Sequence, residues 1–329
     1  MEKITAFSLM AAINAGMLII ATYYLLYAIT KRHLDSLIFI SLLVSSGSFV
    51  FWAHIPESFA FGATTILVPF LILSVPMLRS NHHWHLVANI VSLSLTTTNW
   101  MAGLASTSYS LGIKNAAVVA AKALVVVAAI WSVQKFLFPS AGFFLDLVEE
   151  QRYIRPANWP FAMRQFVFDS FSPLAVQEGI ATWKERTYPT LRLSSDVSQS
   201  INVSVFAAWG VWLSILCYGF YHACRERGER SVGPVLALFV CGQFVLHCLY
   251  GTSETFIYSL HWMPTLVMIA AFGTRGKART FLLPLVLCLA VYSAPRNYEM
   301  RAETIHAAEG FQQHVLQARA EKQLKQSEE

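Results

Sequence analysis

This 329-residue chain is short of charge: only 13% of its residues are Asp, Glu, Lys or Arg, whereas 55% are hydrophobic. A soluble domain carries about a quarter charged residues. The deficit excludes an ordinary soluble globular protein and indicates a membrane protein. The net charge of +5 does not indicate a nucleic-acid partner, because most basic residues lie in short loops between apolar runs, where membrane topology places them.

The sequence also lacks paired cysteines, internal repeats and low-complexity segments. Its five cysteines lie in or beside apolar runs and form no CxxC pair, which excludes a zinc or disulfide framework of the usual spacing. Small apolar thiols of this kind usually fill space in a core. What remains to be interpreted is the set of long apolar runs and the few polar residues at their ends.

Nine apolar runs are long enough, or nearly so, to cross a bilayer. They predict an all-α polytopic membrane protein with about nine transmembrane helices. We expect the first run to be a retained helix rather than a signal peptide, because it is too long and no cleavage site precedes Lys31. The nine runs are 6–29, 36–53, 60–78, 86–105, 116–137, 202–222, 232–250, 255–273 and 280–294.

Basic residues orient these runs. They follow the first, third, sixth and eighth runs, and the positive-inside rule places those four loops in the cytoplasm. The loops at 54–59, 105–114 and 250–254 are then expected on the outer face. The basic residues are Lys31, Arg32, Arg79, Arg225, Arg227, Arg230, Arg275, Lys277 and Arg279.

One segment does not fit this count. Residue 138 would emerge inside and residue 200 outside, so the chain between them would have to cross once without a clean apolar run. Either the aromatic-rich residues 161–176 enter the protein as a re-entrant or partly buried crossing, or one span is wrong. The predicted divisions are 1–137 with five helices, the interfacial or external segment 138–201, 202–294 with four helices, and the charged helical tail 295–329.

The segment joining the seventh and eighth runs concentrates polar groups at a membrane boundary. Glu254, Tyr258 and His261 are spaced by four and three residues, which puts them on one side of a helix. Such groups are candidates for a site. Gln243 and His247, one turn apart in the seventh run, lead into this segment and are either hydrogen-bonded structure or part of the same site.

Two other polar elements are predicted on the same outer face. His54 and Glu57 flank Pro56 at the end of the second run. The Glu57 carboxylate either binds a hydroxyl, a metal ion or another cation, or it stabilises the start of the next helix. Asn99 and Trp100 follow three threonines. They either bond a neighbouring helix or line a polar pocket in which the indole stacks on a sugar.

Two further features have competing interpretations. Residues 81–85 (NHHWH) look like a metal cluster, but His82 and His83 are adjacent and cannot both point at one ion from a helix. No metal site is therefore assigned there. Lys122, inside the fifth apolar run, either extends to the interface or holds a phosphate or an acid within the membrane.

Four segments, taken in order, resemble bacterial polytopic glycosyltransferases of the GT-C superfamily, the type that uses lipid-phosphate sugars. The resemblance covers about residues 50 to 265. Its segments are 51–60 (FWAHIPESFA), 93–103 (LSLTTTNWMAG), 135–144 (KFLFPSAGFF) and 250–264 (YGTSETFIYSLHWMP).

The resemblance implies transfer of a sugar from a polyprenyl-phosphate donor, in the bacterial inner membrane, to an acceptor glycan, lipid or protein on its outer face. Members of the superfamily carry a catalytic acid in a large loop between their first two helices, and this sequence has no counterpart of that helix and loop. The catalytic base therefore stays unassigned. The catalytic candidates are Glu57 and Glu254, and the candidate substrate-binding residues are His54, Asn99, Trp100, Tyr258 and His261.

The implied chemistry needs a carboxylate to accept the acceptor's proton. It also needs a divalent cation or a basic side chain to stabilise the leaving phosphate. Two alternatives stay open. A non-catalytic membrane subunit or scaffold, working with a partner subunit, would explain the missing loop. A transporter or flippase of a lipid-linked substrate would be expected to carry acids near the bilayer midplane, whereas the acids here lie at the ends of runs.

Overall fold

Helices dominate the computed structural model, which describes residues 2–55, 58–140, 154, 159–173, 176–183, 186–193, 203–226, 231–249 and 255–328. Among these residues, four helical stretches are long and apolar enough to cross a membrane: Thr5–Thr30, Ile113–Leu137, Val203–Arg225 and Arg279–His306. This finding supports a helical membrane protein. The predicted number of nine spans is not confirmed, since other apolar helices are shorter: His33–Ser45, Ala60–Ser74 and Gly233–Leu249.

The first part of the chain forms eight helices. Residues Thr97–Asn99 form a 3-10 turn between the sixth and the seventh. The helices are α1 (Glu2–Thr30), α2 (His33–Ser45), α3 (Gly47–Trp52), α4 (Ser58–Ser74), α5 (Pro76–Arg79), α6 (His82–Leu95), α7 (Trp100–Leu111) and α8 (Ile113–Leu137).

The described residues of the second part form five helices and, as the exception to the predicted all-α fold, one antiparallel hairpin of two strands that packs against the last helix. Residues Arg164–Asp169 form a π-helix, and 3-10 turns cover Thr255–His261 and Phe272–Arg275. The elements are α9 (Trp159–Met163), β1 (Val176–Trp183), β2 (Arg186–Leu193), α10 (Val203–Arg225), α11 (Gly233–Leu249), α12 (Met263–Ala271) and α13 (Arg279–Glu328).

The four loops predicted to share one face do meet at one end of the molecule. Arg275 donates from Nε to the Ile29 carbonyl at 2.9 Å and forms an ion pair with Glu226. A cavity of about 420 Å³ at this place is lined by Lys31 and Pro76 as well. We call this the basic end, and the opposite one the distal end. The juxtaposition confirms the grouping that the basic residues predicted.

The predicted fourth span, 86–105, is wrong as a single helix. The chain leaves the helix at Thr96, whose backbone is extended, and α7 then returns beside α6. Asn89 donates from Nδ2 to Thr107 Oγ1 at 2.8 Å and accepts from Trp100 Nε1 at 2.8 Å. These polar groups lie in an apolar run and satisfy each other only if the two halves are antiparallel.

This hairpin reverses the predicted position of the loop 105–114. The Arg79 guanidinium lies 5.4 Å from the centre of the Tyr109 ring, so α7 ends, and α8 begins, at the basic end instead of the outer face. Residue 138 then emerges at the distal end. Because α10 ends at the basic end with Arg225, it begins at the distal end too. The conflict in the sequence-based count therefore disappears, because the two ends no longer require a crossing between them.

Residues 159–173 lie between the helices at the distal end, and we call them the buried segment because residues 165–173 are largely buried, although Trp159 and Met163 are exposed. Its α9 and π-helix together hold only 11 residues, about half the length needed to cross a bilayer. Three indoles satisfy its carbonyl groups. Trp212 donates to Val167 at 2.8 Å, Trp262 to Phe166 at 3.0 Å and Trp209 to Ser172 at 3.0 Å.

The break between α2 and α3 provides further bonds to this buried segment. Ser46 is extended, and its side chain accepts from the Phe49 amide as a helix cap. The Gly47 amide, left free by the break, donates to the Phe171 carbonyl at 2.7 Å, and the Asn297 side chain of α13 donates to the same carbonyl at 3.0 Å. Irregular backbone is tolerated at membrane depth when the protein satisfies it in this way.

Candidate functional site

Gly62 of α4 marks the centre of the candidate site at the distal end. Asn99 donates from Nδ2 to the Gly62 carbonyl at 3.1 Å. A Cβ atom at position 62 would lie 2.7 Å from His261 Nε2 and 2.8 Å from Asn99 Nδ2. The amide and the imidazole, separated by 162 positions in the sequence, therefore converge on one point of α4 where only glycine leaves them room.

Aromatic rings extend this convergence towards α11. The His247 ring lies 5.7 Å from that of Tyr258 and 4.5 Å from that of Trp262, and Tyr258 lies 6.0 Å from His261. We call Asn99, His247, Tyr258 and His261 the polar cluster. Asn99, His247 and His261 are almost fully buried. The cluster offers two imidazoles, a phenol and an amide in a site that is shielded from water.

Several buried polar atoms in and beside the cluster have no hydrogen-bond partner among the described residues. Gln243 lies one turn before His247 on α11 and leaves both its amide nitrogen and its oxygen unpaired. Leaving a buried polar group unpaired costs about 1–3 kcal/mol, and such groups call for an explanation, of which a bound ligand is one. The unpaired atoms are Asn99 Oδ1, Gln243 Nε2 and Oε1, His247 Nδ1 and Ser259 Oγ.

An apolar groove of about 670 Å³ runs between α7 and α11. Its polar rim, Thr97, Thr98 and Trp100, is at the distal end and adjoins Asn99 in the chain. Its other end reaches Tyr109 and Pro234, near the basic end. The groove therefore extends along most of both helices, with the hydroxyl groups of Thr97 and Thr98 where it approaches the polar cluster, Ser108 and Tyr109 at its other end, and mainly hydrocarbon between them.

The predicted site residues are only partly brought together. Asn99, Tyr258 and His261 share the polar cluster, and Trp100 lines the groove with its indole nitrogen bonded to Asn89. The prediction that the indole stacks on a sugar stays a prediction. Glu57 and Glu254, the two catalytic candidates, lie outside the described residues.

His54 has a different environment from the cluster. Its ring packs edge-on against Phe49 at 5.9 Å. Partial desolvation, together with the nearby Arg301 guanidinium of α13, holds the pKa of His54 below its ordinary value. Among the described residues, no hydrogen bond or ring contact joins His54 to the polar cluster. A neutral imidazole here can accept as well as donate a hydrogen bond.

The histidines of residues 81–85 do not gather around one point. His82 and His83 are exposed, whereas His85 is buried. His85 Nδ1 lies 3.2 Å from Thr107 Oγ1 and its Nε2 lies 2.7 Å from the Arg79 carbonyl. His85 thus links α6 to α7 and to the last residue of α5, Arg79. Lys122, the other isolated polar residue, is on the exposed side of α8.

Sequence reasoning missed Gly62 and gave Gln243 and His247 little weight. Gly62 stands in an apolar run of ordinary composition, and no pattern around it shows that a side chain from residue 99 and one from residue 261 meet there. Gln243 had a visible signal, since an amide inside an apolar run is expensive in a membrane. The signal does not tell which helix faces it.

Comparison with known proteins adds no identification. No family model, no curated protein and no solved structure matches this chain.

Proposed function

We propose that this membrane protein binds a lipid-linked polar substrate at the distal end, with the polar group at the polar cluster and the hydrocarbon tail in the groove between α7 and α11. The observation that carries the proposal is the convergence of Asn99 and His261 on Gly62 beside the rim of that groove. A lipid-linked sugar or phosphate has the two chemical parts that this arrangement accommodates.

The unpaired atoms support a polar ligand in particular. Asn99 Oδ1 accepts hydrogen bonds, and the Gln243 side chain can both accept and donate. A sugar ring offers hydroxyl groups that do both as well. Binding such a ligand would give hydrogen-bond partners to atoms that are otherwise buried without one. The affinity for the ligand would then come from these hydrogen bonds, and the groove would set the ligand's orientation.

The proposed reaction is transfer of the sugar to an acceptor, as the resemblance to GT-C glycosyltransferases suggests. The acceptor's hydroxyl proton needs a carboxylate, for which Glu57 and Glu254 stay the candidates. Glu57 directly precedes Ser58, the first residue of α4, and Glu254 directly precedes the turn Thr255–His261. His247 and His261 would stabilise the leaving phosphate by hydrogen bonds, or by holding a divalent cation.

The direct test is sugar transfer by the full chain in lipid nanodiscs, with synthetic polyprenyl-phosphate sugars as donors and release of the lipid phosphate as readout. We expect Asn99→Ala to raise KM, because it removes a binding contact, and Glu57→Gln or Glu254→Gln to lower kcat. Asn115→Ala, on the exposed side of α8, is the matched control. Full activity of both Gln variants would exclude these carboxylates, and full binding by Asn99→Ala would exclude the site.

A second candidate is translocation of a lipid-linked group across the membrane. The observation that favours it is the length of the groove, which reaches from Thr97 to Tyr109 and Pro234, close to the basic end. A protein that moves a headgroup needs such a continuous path, whereas transfer at one face does not. Movement of a fluorescent polyprenyl-phosphate sugar between leaflets, without release of the lipid phosphate, would identify translocation.

A further inference from the structure

α8 is the least buried of the four long spans. In its most apolar stretch of 18 residues only 22% are buried, against 39–44% in the other three. One face, formed by Ala116, Val119, Ala123 and Val127, is buried in the contacts with α6 and α7. The other face is open along the length of the helix and is formed by Val118, Ala121, Lys122, Val125 and Ala129.

Lys122 is the unusual member of this open face. It lies eight residues beyond Lys114, about 12 Å deeper along the helix axis, which is further than its four-carbon side chain can reach back. Its neighbours on the face are Val118 and Val125, whose side chains are 53% and 69% exposed. Among the described residues, no acidic side chain pairs with Lys122. An unpaired ammonium group towards lipid is expensive.

We propose that the open face of α8 is a docking surface for a transmembrane helix of another protein, and that this helix carries an Asp or Glu opposite Lys122. The positive charge of Lys122 favours a partner helix with an acidic side chain, because a carboxylate at the same depth would neutralise that charge. Ala121 and Ala129 have small side chains, so a second helix can approach α8 closely.

A second copy of this chain is a poorer occupant. A symmetric pair through the same face would bring two Lys122 ammonium groups together, and like charges repel. The acid of α2, Asp35, is only 1% exposed. Its carboxylate accepts hydrogen bonds from Nε and Nη2 of Arg279, at 2.8 and 2.6 Å. It offers no free carboxylate to a neighbouring copy.

The test uses a synthetic single-span helix of Leu and Ala with one Asp at the matching depth. Binding to the labelled full chain is measured by energy transfer in neutral phosphatidylcholine vesicles. We expect the Asp helix to bind about tenfold more tightly than an otherwise identical Leu helix. Lys122→Leu should abolish this difference in affinity. Lys122→Glu should instead bind more tightly a helix that carries Lys in place of Asp.

Two further variants separate docking from charge alone. Ala129→Trp adds bulk to the open face two turns beyond Lys122 and should block the Asp helix, whereas Ile130→Trp adds bulk about 100° around the helix from Ala129 and should not. Equal binding of the Asp helix to the wild type and to Lys122→Leu would overturn the proposal. So would equal binding by both Trp variants, or self-association that is unaffected by the helix.

Discussion

At the scale of single residues, Gly62 determines how the candidate site is closed. The absence of a side chain lets Asn99 reach the Gly62 carbonyl and lets the His261 ring lie against the same turn of α4. The role is steric rather than conformational, because this glycine lies inside a regular helix. The chemistry of the site thus depends on a residue that takes no part in it.

Gly62→Ala tests this dependence. The added Cβ would lie under 3.0 Å from both His261 Nε2 and Asn99 Nδ2, so at least one side chain must move. Overpacking of this kind costs about 1–3 kcal/mol, and we expect a lower Tm together with loss of lipid-linked ligand binding. Both are measured on the purified chain, by thermal unfolding and by a fluorescent-lipid binding assay.

Gly16→Ala is the matched control for this substitution. Gly16 also lies within a long helix, α1, and a Cβ there would meet nothing within 4 Å. Since Ala is the better helix former, its Tm should be unchanged or slightly higher. If Gly62→Ala behaved in the same way as Gly16→Ala, the convergence of Asn99 and His261 would not control binding.

At the scale of elements, the α6–α7 hairpin depends on buried polar side chains. Asn89 donates to the His85 carbonyl and to Thr107, and it accepts from the Trp100 indole. Gly103 permits the approach, because a Cβ there would lie 2.8 Å from Ser92 Oγ. In an apolar surrounding these bonds have no water to replace them, so the two short helices are fixed to each other.

Asn89→Leu should therefore loosen the hairpin while keeping the size of the residue. It leaves Trp100 Nε1 without its acceptor and Thr107 without one donor, which we expect to cost about 1–2 kcal/mol. Asn115→Leu is the comparison, because that amide is exposed and donates to the Leu111 carbonyl, four residues before it in the chain. Thermal unfolding followed by Trp fluorescence distinguishes the two. Equal Tm values would contradict a structural role for Asn89.

The hairpin also shows what the sequence could predict and what it could not. Apolar length located the helices, and Asn99, Tyr258 and His261 were correctly expected near one end. The reversal at Thr96 was not predictable from local pattern, since threonines occur in membrane helices without breaking them. What fixes the reversal is the pairing of Asn89 with Thr107, a contact between residues that are 18 positions apart.

At the scale of the whole molecule, the hairpin sets the topology. Because α6 and α7 are antiparallel, α8 begins at the basic end, and residues 138 and 203 both lie at the distal end. The four basic loops were predictable because charge is a compositional signal that survives errors in counting helices. The number of passes was not, because it depends on every break being recognised.

Thiol labelling from one side of the membrane tests this topology. In a chain whose five cysteines are replaced, single cysteines are introduced at Ser80, Asn115, Ser140 and Ser204, all exposed. A membrane-impermeant maleimide should modify Ser80→Cys and Asn115→Cys from one side only, and Ser140→Cys and Ser204→Cys from the other. Labelling of Asn115→Cys from the side opposite to Ser80→Cys would contradict the hairpin, since a single helix over residues 86–105 would place these two positions on opposite sides.

The buried segment 159–173 has a consequence for how the protein is made. The indoles that satisfy its carbonyl groups, Trp209, Trp212 and Trp262, all follow it in the chain. Asn297, which bonds to Phe171, follows later still. A ribosome therefore delivers the segment to the membrane before its partners exist. The segment can make all of these bonds only after α10, α12 and the part of α13 up to Asn297 have been synthesised.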